Sequence, residues 1–84
     1  QVLLGHGAVD DVAAVAWPSR ELGEEVAAFI VAAGPVEEAV LLAYCGAHLA
    51  RYKVPRAVFF VDALPRNGFG KVLKKDLAAR LEAV

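Results

Sequence analysis

The segment best suited to chemistry is a loop rich in turn-forming residues that ends on a lysine. It reads Leu64-Pro65-Arg66-Asn67-Gly68-Phe69-Gly70-Lys71-Val72 and directly precedes an amphipathic stretch. Two glycines flank Phe69, and glycine permits positive φ angles and close approach of the backbone to another molecule. A lysine on such a loop can present a point charge to a carboxylate or a phosphate. The loop therefore predicts that Lys71 binds an anion, with a lysine that only solubilises the start of a helix as the alternative.

The glycines of the chain do not form a known nucleotide-binding signature. A Walker A loop would require glycine where Pro65 stands, and Ser or Thr where Val72 stands. The segment Gly5-His6-Gly7 is followed by Asp10 at the position where a dinucleotide fingerprint requires its third glycine. Neither motif is therefore predicted.

A second cluster interleaves cations with one aromatic residue, and it reads Arg51-Tyr52-Lys53-Val54-Pro55-Arg56. An adenine could stack on Tyr52 while Lys53 or Arg56 contacts a phosphate. Tyr52 could equally be a core residue, and cations near a helix C-terminus are stabilising without any ligand. Both interpretations of this cluster stay open.

No pair of acids, Ser/His/Asp set or cluster of metal ligands stands out, so the chain alone lacks a complete catalytic constellation and no metal site is predicted. Cys45 is the only cysteine. It excludes an internal disulfide and fits a reducing, cytoplasmic compartment. Its apolar neighbours predict a buried side chain and not a nucleophile. His6 and His48 lack acids or thiols at ligand spacing and are predicted to be solvated or core residues.

Charge is divided unevenly along the 84 residues, although the net charge is only −1. Residues 1–50 sum to −6 and residues 51–84 sum to +5. This division favours an anionic ligand or acidic surface near the C-terminal part, with an ordinary solvated helix face as the alternative. An apolar fraction of 58% suggests a partner surface, or simply abundant alanine. No apolar run reaches the ~18 residues of a membrane span, so a soluble chain is predicted.

Three strands are predicted to position these groups. Runs rich in β-branched or aromatic residues predict them over residues 12–17, 26–33 and 57–61. Pro18 is predicted to stop the first strand, because proline cannot continue a hydrogen-bonded ladder.

Helices are predicted around the strands. Apolar residues at helical spacing predict a helix over residues 36–50, in which Gly46 costs about 1 kcal/mol relative to alanine and indicates close packing or an early end. Residues 1–8 predict a short helix. A terminal helix carries leucines on one face, namely Leu73, Leu77 and Leu81. The order α-β-β-α-β-α predicts an α+β fold, a small three-stranded sheet flanked by helices.

Three segments in this order, ELGEEVAAFIV, HLARYKVPRAVFFVDALP and PRNGFGKVLKKDL, resemble the C-terminal domain of the adenylate-forming superfamily. That superfamily comprises acyl-CoA synthetases, peptide-synthetase adenylation domains and beetle luciferases. The run VDALPRNGFGKVLKK is also similar to malonyl-CoA synthetase-like ligases. The resemblance implies that residues 1–84 are a single C-terminal lid domain, a fragment of a larger two-domain enzyme and inactive in isolation.

The resemblance further implies an AMP-forming acid–thiol ligase. ATP and Mg2+ would be held mainly by a missing N-terminal domain, and coenzyme A (CoA) would be the co-substrate. Lys71 would be the catalytic lysine of acyl-adenylate formation, supported by loop residues Pro65, Asn67, Gly68 and Gly70. The opposite face would contact CoA through Gly23, Glu24, Tyr52, Lys53 and Arg56.

Other functions stay open beside this one. The chain could belong to an adenylation domain that loads a carrier protein, to a small phosphate- or RNA-binding module, or to an inactive relative used for interaction. Phe69 departs from the family pattern, which commonly has a small or polar residue there, and could alter the loop without displacing Lys71.

Overall fold

The order of helices and strands follows the prediction. The computed structural model describes residues 2–19, 23–50 and 53–82. In chain order, the elements are a 3-10 helix (Val2–Gly5), strands β1 (Val9–Ser19) and β2 (Gly23–Ala32), helix α1 (Glu38–His48), strand β3 (Ala57–Phe60) and helix α2 (Lys74–Glu82). The three strands form one sheet with α1 and α2 on opposite faces, which confirms the predicted α+β fold.

The sheet is mixed, with strand order β1-β2-β3. Strands β1 and β2 are antiparallel, and β2 and β3 are parallel. The prediction that Pro18 stops the first strand is wrong, because β1 continues through Pro18, which pairs with Glu24, to Ser19. Proline is tolerated there because β1 is an edge strand, and only one side of an edge strand supplies ladder hydrogen bonds.

A β-bulge lies near the start of β1. Val9 pairs with Ala32 and Asp11 pairs with Val31, so β1 has one extra residue at Asp10. Residues two apart in a regular strand point to the same face, and one inserted residue places them on opposite faces. Val9 accordingly packs on the α1 side of the sheet, while Asp11 lies on the α2 side.

The sheet separates two apolar cores. The core on the α1 side contains buried side chains from five segments: Leu3, Val9, Ala28, Ile30, Leu41, Cys45 and Val58. The core on the α2 side contains Ala13, Val15, Ala27, Phe29, Leu64, Leu77 and Leu81. Cys45 is buried, as predicted, and burial raises the pKa of its thiol above the usual value.

Helix α1 is shorter than predicted and its first residue is tied to the sheet. The helix spans Glu38–His48 within the predicted range 36–50. The Glu38 carboxylate accepts a hydrogen bond of 2.7 Å from the Val58 N–H. Since β3 is the other edge strand, this contact covers part of an edge that would otherwise be open to pairing with another chain.

Gly46 offers a test of the packing of α1. Of the two alternatives predicted for Gly46, close packing is not found, because a Cβ atom built there would meet no atom within 4 Å. The other alternative, an early end, agrees with a helix that ends at His48 instead of residue 50. Gly46→Ala is therefore expected to raise the free energy of unfolding by about 1 kcal/mol, since alanine loses less backbone entropy in a helix. Urea denaturation would measure the change. Gly70→Ala is the control of opposite sign, because Gly70 has φ +82° and alanine is strained there. A destabilised Gly46→Ala variant would contradict the expectation.

Helix α2 contains two of the three leucines predicted for it. Leu77 is fully buried at 0% exposure, and Leu81 packs in the same core. Leu73 lies before the helix and is 36% exposed, so its predicted place within the terminal helix is wrong. Its N–H donates to the Pro65 carbonyl, which makes Leu73 part of the preceding loop. Among the described residues, no helix is long and apolar enough to cross a membrane.

Candidate functional site: the Lys71 loop

The Lys71 loop, residues 65–73, is closed at its base by backbone contacts. Arg66 and Val72 form an isolated antiparallel bridge. The Leu73 N–H donates to the Pro65 carbonyl at 2.8 Å, and the Asn67 N–H donates to the Lys71 carbonyl at 2.9 Å. The two ends of the loop are therefore held side by side, directly before helix α2.

Asn67 organises the inside of the loop. Its side-chain Oδ1 accepts from the Phe69 N–H at 2.9 Å and from the Lys71 N–H at 3.1 Å. Its carbonyl accepts from the Gly70 N–H at 3.0 Å. Short amide side chains favour such local bonds to the backbone, which is why asparagine is common in turns. Both backbone groups of Lys71 are thus bonded to Asn67.

Two further residues explain the shape of the loop tip. Gly70 has φ +82°, a region that favours glycine, whereas φ of Gly68 is not positive. The predicted use of a positive φ angle is therefore confirmed at one of the two glycines that flank Phe69. Phe69 contributes its backbone N–H to the turn, which any residue except proline can do, and its side chain is 98% exposed. The departure from the family pattern at Phe69 therefore leaves the loop closed.

Lys71 itself is exposed beside an open pocket of about 710 Å³. The pocket is lined by Asn67, Lys71, Val72, Leu73, Lys74, Lys75 and Asp76. Three of these side chains are cations and one is an acid, so the pocket favours an anionic group. Within the described part of the chain, the Lys71 ammonium makes no ion pair. A rigid backbone with an unpaired ammonium suits recognition of a carboxylate or phosphate.

Arg66 connects the tip of this loop to the sheet. Its Nη1 donates to the Gly70 carbonyl at 2.6 Å, and its Nη2 pairs with Oδ2 of Asp11 on β1. The Arg66 and Asp11 side chains are 41% and 31% exposed, so the ion pair contributes only about 0–1 kcal/mol to stability. Neither Arg66 nor Asp11 was among the predicted site residues. Arg66 stood inside the loop motif, but nothing in the sequence indicated that Asp11, 55 residues away, would meet it.

Three of the residues implied for CoA, namely Gly23, Glu24 and Arg56, lie around the start of β2. Gly23 and Glu24 begin β2 and pair with Ser19 and Pro18. The Arg56 side chain makes an ion pair of 3.0 Å with Glu25. Tyr52 lies outside the described residues.

Two backbone bonds position the cations of this group. The Arg56 N–H donates to the Val26 carbonyl at 2.8 Å, and the Lys53 N–H donates to the Ala50 carbonyl at 2.9 Å. Both side chains are exposed. The fold therefore brings Arg56 to the end of the sheet where Gly23 and Glu24 lie.

The Lys71 loop and the Arg56 group are attached to different ends of the sheet. Asp11, which contacts the loop through Arg66, pairs with Val31, whereas Arg56 bonds to Val26. Val26 and Val31 are five positions apart along β2, or about 17 Å at roughly 3.3 Å per residue. The fold does not bring the two groups of predicted site residues together.

The rings of the two histidines contact one tyrosine ring, at interplanar angles of 85° for His6 and 54° for His48. The Tyr44 ring lies 5.0 Å from His6 and 4.4 Å from His48, measured between ring centroids. Nδ1 of His6 accepts from the Ala8 N–H at 3.0 Å. His6 is half-buried and His48 is exposed, so neither is a core histidine.

Comparison with known proteins identifies the family. The family model described as the AMP-binding enzyme C-terminal domain matches residues 1–71. The chain belongs to this family. The match includes both groups of candidate residues and ends on Lys71, the residue that the loop geometry also distinguishes. The resemblance drawn from the three sequence segments is confirmed.

Relatives of this AMP-binding enzyme C-terminal domain include CoA ligases. FadD13, a long-chain-fatty-acid–CoA ligase of Mycobacterium tuberculosis, is 42% identical over 83 residues, which are 98% of this chain and 16% of that protein. Among solved structures, a double mutant of o-succinylbenzoate CoA synthetase (MenE) from Bacillus subtilis, bound with its product analogue OSB-NCoA, is 37% identical with a TM-score of 0.89. ATP-bound MatB from Rhodopseudomonas palustris is 33% identical with a TM-score of 0.88.

The similarity covers only a small part of each relative. Both of those structures match 94% of this chain and 16% of their own chains. The chain therefore spans about 16% of the length of the relatives that it matches. These comparisons assign the domain.

Proposed function

We propose that this domain is the mobile lid of an ATP-dependent acyl-CoA synthetase and supplies Lys71 for acyl-adenylate formation. The observation that carries the proposal is the geometry of the Lys71 loop. Both the N–H and the carbonyl of Lys71 are hydrogen-bonded to Asn67, while the ammonium makes no ion pair within the described residues. Membership of the family and the names of the CoA-ligase relatives support the same assignment.

In the first half-reaction, a carboxylate oxygen attacks the α-phosphorus of ATP and pyrophosphate leaves. Negative charge increases on the α-phosphate oxygens as the new bond forms. An ammonium placed between the carboxylate and the α-phosphate orients the two anions and offsets that charge. Lys71 has the charge and the exposure for this role, and Asn67 and Gly70 set the direction of its backbone.

In the second half-reaction, the thiol of CoA attacks the acyl carbon and AMP leaves. We assign the contacts with CoA to Gly23, Glu24, Tyr52, Lys53 and Arg56. Of these, the backbones of Gly23, Glu24 and Arg56 lie at the opposite end of the sheet from the Lys71 loop. The attachment points of the two groups lie about 17 Å apart along β2. This separation supports a lid that turns between the two half-reactions and presents one group in each.

The rest of the enzyme supplies what this domain lacks. Among the described residues, no group of three His, Cys, Asp or Glu side chains could hold a metal ion. We therefore assign Mg2+, with most of the ATP contacts, to an N-terminal domain of the same protein. ATP, CoA and a reduced Cys45 fit an enzyme of the cytoplasm.

The proposal is tested on the full-length protein with two assays. Acid-dependent exchange of pyrophosphate into ATP reports the first half-reaction, and thioester formation with free CoA reports the second. Both activities are expected with free CoA as acceptor. Exchange without turnover of free CoA, but with loading of a phosphopantetheine-bearing carrier protein, would show a carrier-loading adenylation domain instead. Absence of exchange with every carboxylic acid class tried would overturn the enzymatic assignment.

Arg56 tests the proposed CoA contact. Arg56→Ala is expected to raise the KM for CoA by about 10-fold, since a hydrogen bond to a charged group contributes about 1.5–3 kcal/mol, and to leave pyrophosphate exchange unchanged. Steady-state kinetics with varied CoA would measure it. Glu25→Gln is the matched control, because it removes the 3.0 Å ion pair and keeps the cation. An equal rise in KM for Glu25→Gln would attribute the effect to the ion pair and contradict the assignment.

A further inference from the structure

The contact between Asp11 on β1 and Arg66 in the Lys71 loop joins the sheet to the proposed catalytic lysine. We propose that Asp11 is a positioning residue for Lys71 and acts on it through Arg66. This inference rests on the proposed function, in which Lys71 serves the adenylation step. It adds a residue from a distant part of the chain, 55 positions before Arg66, to the machinery of that step.

The bulge at Asp10 is what makes the contact available. In a regular strand, Val9 and Asp11 would point to the same face, and that face would have to accept both an apolar and a charged side chain. With the extra residue, Val9 is buried on the α1 side and Asp11 faces Arg66 on the α2 side. Bulges commonly re-aim a side chain beside an active site.

Both oxygens of the Asp11 carboxylate are used. Oδ1 accepts from the Val12 N–H at 2.9 Å, and Oδ2 pairs with Nη2 of Arg66. The bond to its neighbour's backbone holds the carboxylate in one orientation. Arg66 therefore meets an anion whose position is set by the strand.

The guanidinium of Arg66 transmits this position to the tip of the loop. It is a rigid plane, so fixing Nη2 on Asp11 also fixes the direction of Nη1. Nη1 donates to the Gly70 carbonyl at 2.6 Å, and that carbonyl belongs to the peptide bond that leads into Lys71. Asn67 lies in the same loop as Lys71, so the two residues would move together. Asp11 lies on β1 and anchors the loop to the sheet.

The ion pair is half-exposed and contributes little to the stability of the fold. Removing the charge of Asp11 is therefore expected to affect the position of Lys71 more than the free energy of unfolding. Asp11→Asn keeps the shape of the side chain and an oxygen for the Val12 N–H. In the full-length enzyme, Asp11→Asn is expected to lower the kcat of pyrophosphate exchange by about 10-fold, since misplacement by 1 Å can cost about 100-fold. Thioester formation from pre-formed acyl-adenylate is expected to stay unchanged. Asp10→Asn, which alters the neighbouring exposed acid in the bulge, is the matched control and is expected to leave both rates unchanged.

Two further measurements separate positioning from a merely structural role. In a Lys71→Ala background, Asp11→Asn is expected to cause no additional loss of exchange, because the residue through which it acts is already absent. Cleavage after Lys71 by a lysine-specific protease is expected to be at least about twofold faster in Asp11→Asn, since a loosened loop opens more often. This second readout does not depend on activity.

Several results would overturn the inference. These are an equal loss of both half-reactions, an additional loss in the Lys71→Ala background, or unchanged exchange and cleavage in Asp11→Asn. If the wild-type enzyme catalyses no exchange, or if Lys71→Ala retains it fully, the proposed function itself fails. Faster cleavage after Lys71 in Asp11→Asn would then still show that Asp11 positions the loop, but the role in adenylation would be refuted.

Discussion

Replacing Lys71 with alanine in the full-length enzyme is expected to lower acid-dependent pyrophosphate exchange by roughly 100- to 1,000-fold. The ammonium is proposed to offset charge that develops only as the carboxylate attacks the α-phosphate, so its loss raises the barrier of that step alone. Thioester formation from pre-formed acyl-adenylate is expected to continue at close to the wild-type rate. Rapid-quench assays of the two half-reactions would measure the contrast.

Two further variants test whether the loss of exchange is specific to the ammonium of Lys71. Arg80→Ala removes an exposed cation from helix α2, outside the pocket beside Lys71, and is expected to leave both rates unchanged. Lys71→Arg keeps the charge but changes the length and the hydrogen-bonding geometry, so only partial exchange activity is expected. If Lys71→Ala leaves both half-reactions untouched, Lys71 is an ordinary surface lysine and the catalytic assignment is wrong.

Leu77→Ala has the largest expected effect on stability. Leu77 is 0% exposed and packs in the core between the sheet and helix α2. Truncating a buried leucine removes its transfer free energy and leaves a cavity, so a loss of about 2–5 kcal/mol is expected. A domain of this size has a free energy of unfolding of about 5–15 kcal/mol at most, so the variant is expected to lose a large share of it. Urea denaturation followed by circular dichroism would measure the loss.

Leu73→Ala is the matched control for Leu77→Ala. The two leucines are one helical turn apart in sequence, but Leu73 lies in the loop and is 36% exposed. Its truncation is expected to cost less than about 1.5 kcal/mol, because only part of the side chain leaves a buried environment. Equal losses for the two variants would mean that helix α2 buries a different face from the one described.

The Lys71 loop shows how much of the candidate site the local sequence predicted. Turn-forming residues predicted the loop, and the expected roles of Asn67 and Gly70 agree with an asparagine bonded to two backbone N–H groups and a glycine at φ +82°. These features are local, because every partner lies within four residues along the chain. The resemblance to adenylate-forming enzymes was readable for a similar reason, since its motifs are short and lie in order.

Strand and helix positions were also largely determined by the sequence. The β-branched runs and the helical periodicity predicted β1, β2, β3, α1 and α2, with shifts of a few residues at their ends. The ends differ where tertiary context outweighs propensity. Pro18 continues a strand because that strand is at an edge, and Leu73 leaves the helix because its N–H bonds to the Pro65 carbonyl.

Only the tertiary structure decided which distant residues meet. The pairing of β1 with β2 sets the bulge at Asp10, which turns Asp11 toward Arg66, and the parallel pairing of β3 brings Arg56 to Glu25. Neither contact leaves a periodic or compositional signal, since each joins single polar residues far apart in the chain. The sequence by itself determined the elements and the lysine loop because their interactions are short-range. The sheet register decided how that loop is held and where the second group of candidate residues lies, because register depends on contacts among all three strands.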